Sequence, residues 1–86
     1  MKKFISKMSL KELESVFKKF HAEDPDALQE CWKYLGKSIE EAQPSLVHDE
    51  GLWKVGNALF TTQGKNLREA VMRFYLLSTL GDFIEV

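Results

Sequence analysis

The sequence predicts an α+β fold of order ααβββαβ in one domain, with a helical part over residues 1–43 and a βββαβ part over residues 44–86. Three observations carry the expectation. Two amphipathic helical stretches fill the first half; at Ser45 the hydrophobic period shortens to alternating runs split by turn residues; and a long apolar helix near the end runs into Phe83-Ile84-Glu85-Val86.

The first helix starts at Ser9, because Ser9 and Glu12 have the S-x-x-E spacing of a capping box and Met8 can staple onto Leu13. Leu10, Leu13, Phe17 and Phe20 then share one face, and Lys11, Glu14, Lys18 and Lys19 lie mostly elsewhere. The second helix is expected to open at Asp24, with Pro25 at its first position, where a missing N–H costs nothing, and Asp26 near the positive end of the dipole. Leu28, Cys31, Trp32, Leu35, Ile39 and Ala42 continue its apolar stripe. Gly36, followed by a second box at Ser38 and Glu41, leaves two readings: a break at Gly36, or one weakened helix to about Gln43. Pro44 ends it in either case.

Beyond Ser45, "SLVH" and "LWKV" flank Asp49, Glu50 and Gly51, while "LWKV" and "ALFTT" flank Gly56 and Asn57, read as a two-residue hairpin loop. Three short antiparallel strands follow. In them Trp53 and Val55 point one way, and Ala58, Phe60 and Thr62 alternate with Leu59 and Thr61. Asn66 and Glu69 repeat the capping spacing and start a third helix that is apolar on most sides and so is expected to be covered on most sides. Gly81 stands where a left-handed cap would, and Phe83 to Val86 is expected to return to the sheet as the last strand of a βαβ unit.

With 44% hydrophobic and 29% charged residues, the chain has neither the apolar poverty nor the charge excess of a disordered one. Its single cysteine, Cys31, cannot form an internal disulfide, and no apolar run is long enough for a secretory leader or a membrane span, so the cytoplasm is the expected compartment and no membrane partner is expected. Charge is unevenly spread. Residues 1–20 carry +4, residues 21–50 carry −6 and residues 51–86 carry +1. The acidic middle suits a basic protein partner, with Asp26, Glu30, Glu40 and Glu41 as its candidate contacts. The same acids turn the segment away from nucleic-acid phosphates, and a helix-turn-helix forced onto it would present Glu40 and Glu41 to the backbone. Nothing in the pattern argues against a homodimer.

Gly64, Lys65, Asn66 and Arg68 form the candidate anion site, since they lie between a strand and a helix N-terminus, where free amides can hold phosphate. The turn lacks the first glycine and the Ser/Thr of a P-loop, and Glu69 opposes an anion. Cys31 has no motif linking it to His21 or His48 and reads as a small core residue. Two histidines and one cysteine make a poor metal set, and the acids match no calcium loop, so no cofactor and no catalysis are expected.

The stretch from Ala27 to Val86 resembles a pattern of small bacteriophage accessory proteins of the ABA-sandwich type: the tryptophan helix "ALQECWKYLG", a tryptophan strand, a short hairpin, then "LREAVMR" and "LGDFIEV". Ala70, Met72, Arg73, Gly81, Asp82, Ile84, Glu85 and Val86 match it, whereas Val71 and Phe83 depart from its commonest form. That resemblance implies a non-enzymatic accessory protein that binds and modulates a host or phage protein in the bacterial cytoplasm, including by inhibiting a host defence. A weaker resemblance, on Gln63, Gly64, Glu69 and Ala70, is to HicB-like antitoxins, although two helices stand where their first strand would be. It implies toxin neutralisation or an RNA-associated regulatory role. A third expectation, from the turn at Gly64 to Arg68, is a nucleotide-binding sponge.

Overall fold

The computed structural model describes residues 1–85, and its elements are β1 (Lys2–Phe4), a 3-10 turn (Ile5–Lys7), α1 (Leu10–Phe20), α2 (Trp32–Ala42), β2 (Ser45–Asp49), β3 (Leu52–Gly56), β4 (Thr61–Gly64), α3 (Leu67–Leu80) and β5 (Phe83–Glu85). The α+β class stands, with two additions at the N-terminus that the sequence did not announce. Val86, expected at the end of the last strand, lies outside the described residues.

The molecule is organised around α3. Seven consecutive residues, Ala70 to Leu76, are buried, because β3 and β4 of the three-stranded sheet β2-β3-β4 cover one side of this helix while α1 and α2 cover others. Phe17 and Leu13 of α1, Leu35 of α2, Val55 of β3 and Ile5 of the 3-10 turn meet it in one core. The capping box of α1 forms as expected: Ser9 Oγ accepts from the Glu12 N–H, and Glu12 accepts from the Ser9 N–H at 3.0 Å. Met8 and Leu13 are both buried in that core. Asn66 caps α3, its side-chain oxygen accepting from the Glu69 N–H at 2.8 Å.

Four expectations are corrected. β5 does not join the main sheet as part of a βαβ unit; it pairs antiparallel with β1 in a separate two-stranded sheet, with Lys3 opposite Ile84. At the β4 edge, where a βαβ return strand would pair, the Arg73 guanidinium instead donates to the Gln63 carbonyl and, at 2.6 Å, to the Met8 carbonyl. Second, α2 begins at Trp32 rather than at Asp24. Asp24 still accepts from the Asp26 N–H, but residues 25–31 form a chain of tight turns that bury Ala27 and Cys31, and the regular ladder starts only after them. Gly36 lies inside α2 without breaking it, and Trp32 and Ala42, placed on the apolar stripe, are exposed.

Third, the β3–β4 connection spans Asn57 to Phe60 instead of two residues, so Ala58 to Phe60 are loop. The Asn57 side chain accepts from the amides of both Leu59 and Phe60, an Asx turn that draws four residues into the bend before Thr61 pairs with Gly56. Fourth, Gly81 has φ +90° and ψ −164°, which is outside the left-handed helical region but still needs a glycine. The left-handed cap is at Gln43 instead, ahead of Pro44.

Candidate functional site

Of the eight carboxylates between residues 21 and 50, seven are exposed; Asp24 alone is half-buried. Asp26 and Glu30 sit in the turns ahead of α2, and Glu40 and Glu41 in its last turn, so roughly 12 Å of helix, at 1.5 Å per residue, separates the two pairs. Lys33 and Lys37 lie between them on the same face, and Lys33 pairs with Glu30 at 4.0 Å and with Asp24 at 3.8 Å. The four candidate residues therefore form two acidic ends bridged by lysines rather than one continuous patch. Asp49 and Glu50, at the tip of the β2–β3 hairpin, add a third exposed acidic point, and Asp49 is paired with Lys54 at 3.7 Å.

At the start of α3 the Lys65 amide and the Arg68 guanidinium, two donors of the candidate anion turn, are engaged within the chain. The Lys65 N–H donates to Glu69 Oε2 at 2.9 Å, and the Asn66 side chain holds the Glu69 amide. Arg68 turns away from the loop: its guanidinium pairs with Glu14 at 2.6 Å and donates to the Leu28 carbonyl at 3.3 Å and to Cys31 Sγ at 3.4 Å. Gly64 is packed so closely on α3 that a Cβ there would stand 2.5 Å from the Ala70 nitrogen. The turn is thus drawn tight against the helix, and Arg68 is committed to Glu14, Leu28 and Cys31. Cys31 is buried, and among the described residues no three His, Cys, Asp or Glu side chains come together in a metal-binding group.

A polar cluster that the sequence did not disclose lies where α1, α2 and α3 meet. His21, at the C-terminus of α1, shares a hydrogen bond of 2.8 Å through Nε2 with the Tyr75 hydroxyl and stacks on Tyr34 at 4.0 Å. Tyr34 donates to Asp24 Oδ2 at 2.7 Å. Burial pushes the His21 pKa below its ordinary value, with the Asp24 charge opposing, so the ring tends to be neutral near pH 7. The hydrogen bond from Tyr34 holds the Asp24 carboxyl below the usual range, helped by the Asp26 amide, and burial raises the Tyr75 hydroxyl. Open grooves of about 490 Å³ and 480 Å³ flank Tyr34, one running to Tyr75, Ser78 and Thr79 and the other to Phe20 and His21. The residues of this cluster come from positions 21, 24, 34 and 75, and no sequence spacing joins them; only helix packing does.

The sheet has two unlike edges. In the β2–β3 hairpin Glu50 (φ +53°) and Gly51 (φ +79°) make a two-residue turn between Asp49 and Leu52. In such a turn the flanking pair is hydrogen-bonded and the pairs alternate, so Ser45, Val47 and Asp49 bond to β3 while the main-chain groups of Leu46 and His48 face outward. The same alternation carried to β4 turns Thr61 and Gln63 outward, and Arg73 accordingly takes the Gln63 carbonyl. That arginine takes one of the outward groups of the β4 edge. The β2 edge is open, and all five of its residues are exposed, including Leu46 at 42% and Val47 at 49%.

Comparison with protein-family models, with curated proteins and with solved structures gives no match to this chain. Among the described residues no helix is long and apolar enough to cross a membrane.

Proposed function

We propose that the chain is a non-enzymatic accessory protein that acts by binding a basic protein partner, on the pattern of the small bacteriophage proteins it resembles, and that the partner is a host or phage protein whose activity it modulates. The observation that supports this reading is the exposure of seven carboxylates between residues 21 and 50, a segment of net charge −6 in a chain of net charge −1. A field of that kind steers a positively charged partner during encounter, and its reach is set by the ionic strength.

The test is to capture the partner from bacterial lysate, then to compare association rates for wild type and for the variant Asp26→Lys, Glu30→Lys, Glu40→Lys, Glu41→Lys at two salt concentrations. The variant associates more slowly, and the difference shrinks at high salt. Its melting temperature stays close to that of wild type, because exposed charges away from special features are usually worth within about 0.5 kcal/mol each. Equal rates at both salt concentrations would remove the reading.

A further inference from the structure

The open β2 edge is a feature separate from the candidate acidic contacts Asp26, Glu30, Glu40 and Glu41. Natural sheets protect a free edge with charged side chains, proline or a bulge, and β2 has only Asp49, at its turn end, with no lysine, proline or bulge within Ser45-Leu46-Val47-His48-Asp49. We propose that β2 pairs antiparallel with β2 of a second copy of this chain, about a two-fold axis at Val47, so that the two sheets join into one.

The register follows from which groups are free. Main-chain N–H and C=O groups point outward at Leu46 and His48, so a bonded pair must form between Leu46 of one copy and His48 of the other. Pairing Leu46 with Leu46 would bring the second copy's Pro44, which has no N–H, opposite His48; pairing His48 with His48 would run Leu46 against the Glu50 turn. Only the register centred on Val47 lets both outward residues of each strand exchange their bonds with another strand residue.

Side chains agree with that register. On the outer face Val47 meets Val47 of the second copy, so two half-exposed valines cover each other. Asp49, the one charged residue of the strand at neutral pH, faces Ser45 of the second copy; a parallel in-register pairing would put Asp49 against Asp49. On the inner face Leu46 lies against His48 of the second copy, beside Val55 and Trp53 on the adjoining strands.

The other edge decides the symmetry. Were β4 open, β2 of one copy could add to β4 of the next, a head-to-tail contact that propagates into fibres. Arg73 already occupies the Gln63 carbonyl, one of the outward groups such a contact would use, whereas the outward groups of β2 have no partner in the chain, which favours the closed, isologous β2–β2 pair. A contact built on one strand of five residues is small beside the roughly 1,200–2,000 Å² of a standard interface, so the dimer is weak and concentration-dependent.

Sedimentation equilibrium from micromolar to millimolar protein tests this, with two variants at His48. His48→Pro deletes the outward N–H on both sides of the axis and weakens self-association roughly tenfold or more, whereas His48→Ala keeps the N–H and still dimerises. Val47→Cys gives an independent readout that does not depend on how the proline variant folds. The two Val47 positions form a non-hydrogen-bonded pair with Cα atoms about 4.5 Å apart, within disulfide range, so mild oxidation yields a covalent dimer that wild type, with only buried Cys31, does not form. A wild-type chain that stays monomeric to millimolar concentration overturns the proposal. So does a dimer that Val47→Cys fails to cross-link, or one that a folded His48→Pro leaves intact.

Discussion

At the residue scale, the polar side chains of this protein are used to join elements. Arg73 shows it most plainly: a buried guanidinium on α3 binds the carbonyls of Gln63 and Met8 and lies 3.8 Å from Glu69, so one side chain ties helix, sheet edge and N-terminal segment together. Burial lowers its pKa with Glu69 opposing, and its Nε is left without a hydrogen-bond partner among the described residues. Glu12 does similar work at the surface, where an ion pair with Lys3 and the Ser9 amide draw its carboxyl down to about 2. His21 gives the residue-level prediction. Its folded pKa is depressed by burial, so as pH falls the unfolded chain takes up the proton first, near its ordinary value of about 6.5. Stability is therefore complete above roughly pH 7 and declines as the pH falls through the ordinary histidine value. Melting temperatures measured across that range should show the decline in wild type and a flatter profile in His21→Gln, which retains a side chain able to reach the Tyr75 hydroxyl. Parallel profiles would place the titration on another group.

At the element scale, local backbone chemistry decides where strands turn. The β2–β3 hairpin uses a two-residue turn with positive φ at both positions, yet its first position is Glu50, a residue that carries a Cβ and lacks the short side chain by which Asn settles in the left-handed region. Glu50→Asn should stabilise the protein by about 1 kcal/mol, visible as a rise of roughly 4–8 °C in the melting temperature of a domain this size. Gly51→Ala should act in the opposite sense, and melts of the two variants check both. The Gly56–Asn57 pair looks like a hairpin turn by composition, but Asn57 bonds forward to Leu59 and Phe60 and lengthens the bend. Helix starts divide the same way. The Ser9 and Asn66 caps form where the spacing placed them, while Asp24 makes a local cap bond in a segment whose helix does not follow until Trp32.

At the scale of the whole molecule, the two chain ends are held together. β1 and β5 pair with each other, Phe4 and Phe83 meet edge to face at 5.9 Å, Lys2 lies over the Phe83 ring, and the Ile5 N–H bonds the Asp82 carbonyl at 3.0 Å. Removing residues 83–86 should cost about 2–3 kcal/mol, chiefly from Ile84, which packs on the core, against a total of about 5–15 kcal/mol for a domain. The distinguishing readout is hydrogen exchange. Amides of Lys2–Phe4 that bond to β5 should lose protection in the truncated chain while those of Val71–Leu76 on α3 keep theirs. Unchanged exchange in β1 would mean that it is held by something other than β5.

Periodicity and capping, which act within one or two turns of chain, made α1, α3 and the β2–β3 hairpin legible from residues alone, and with them the α+β class, while the third strand was read three residues too early. Ser9 with Glu12, Asn66 with Glu69 and the Glu50-Gly51 turn are short-range signals of this kind, satisfied by neighbours a few residues away. The partners of β5, the start of α2 and the His21, Asp24, Tyr34 and Tyr75 cluster depend on groups up to about eighty residues apart in sequence, such as Lys2 and Glu85 or Met8 and Arg73. Hydrophobic pattern says that a strand has a buried face, but it does not say which strand lies beside it. Here β5 lies beside β1, Arg73 takes the Gln63 carbonyl at the β4 edge, and β2 remains an edge with all its residues exposed, none of which the local pattern specifies.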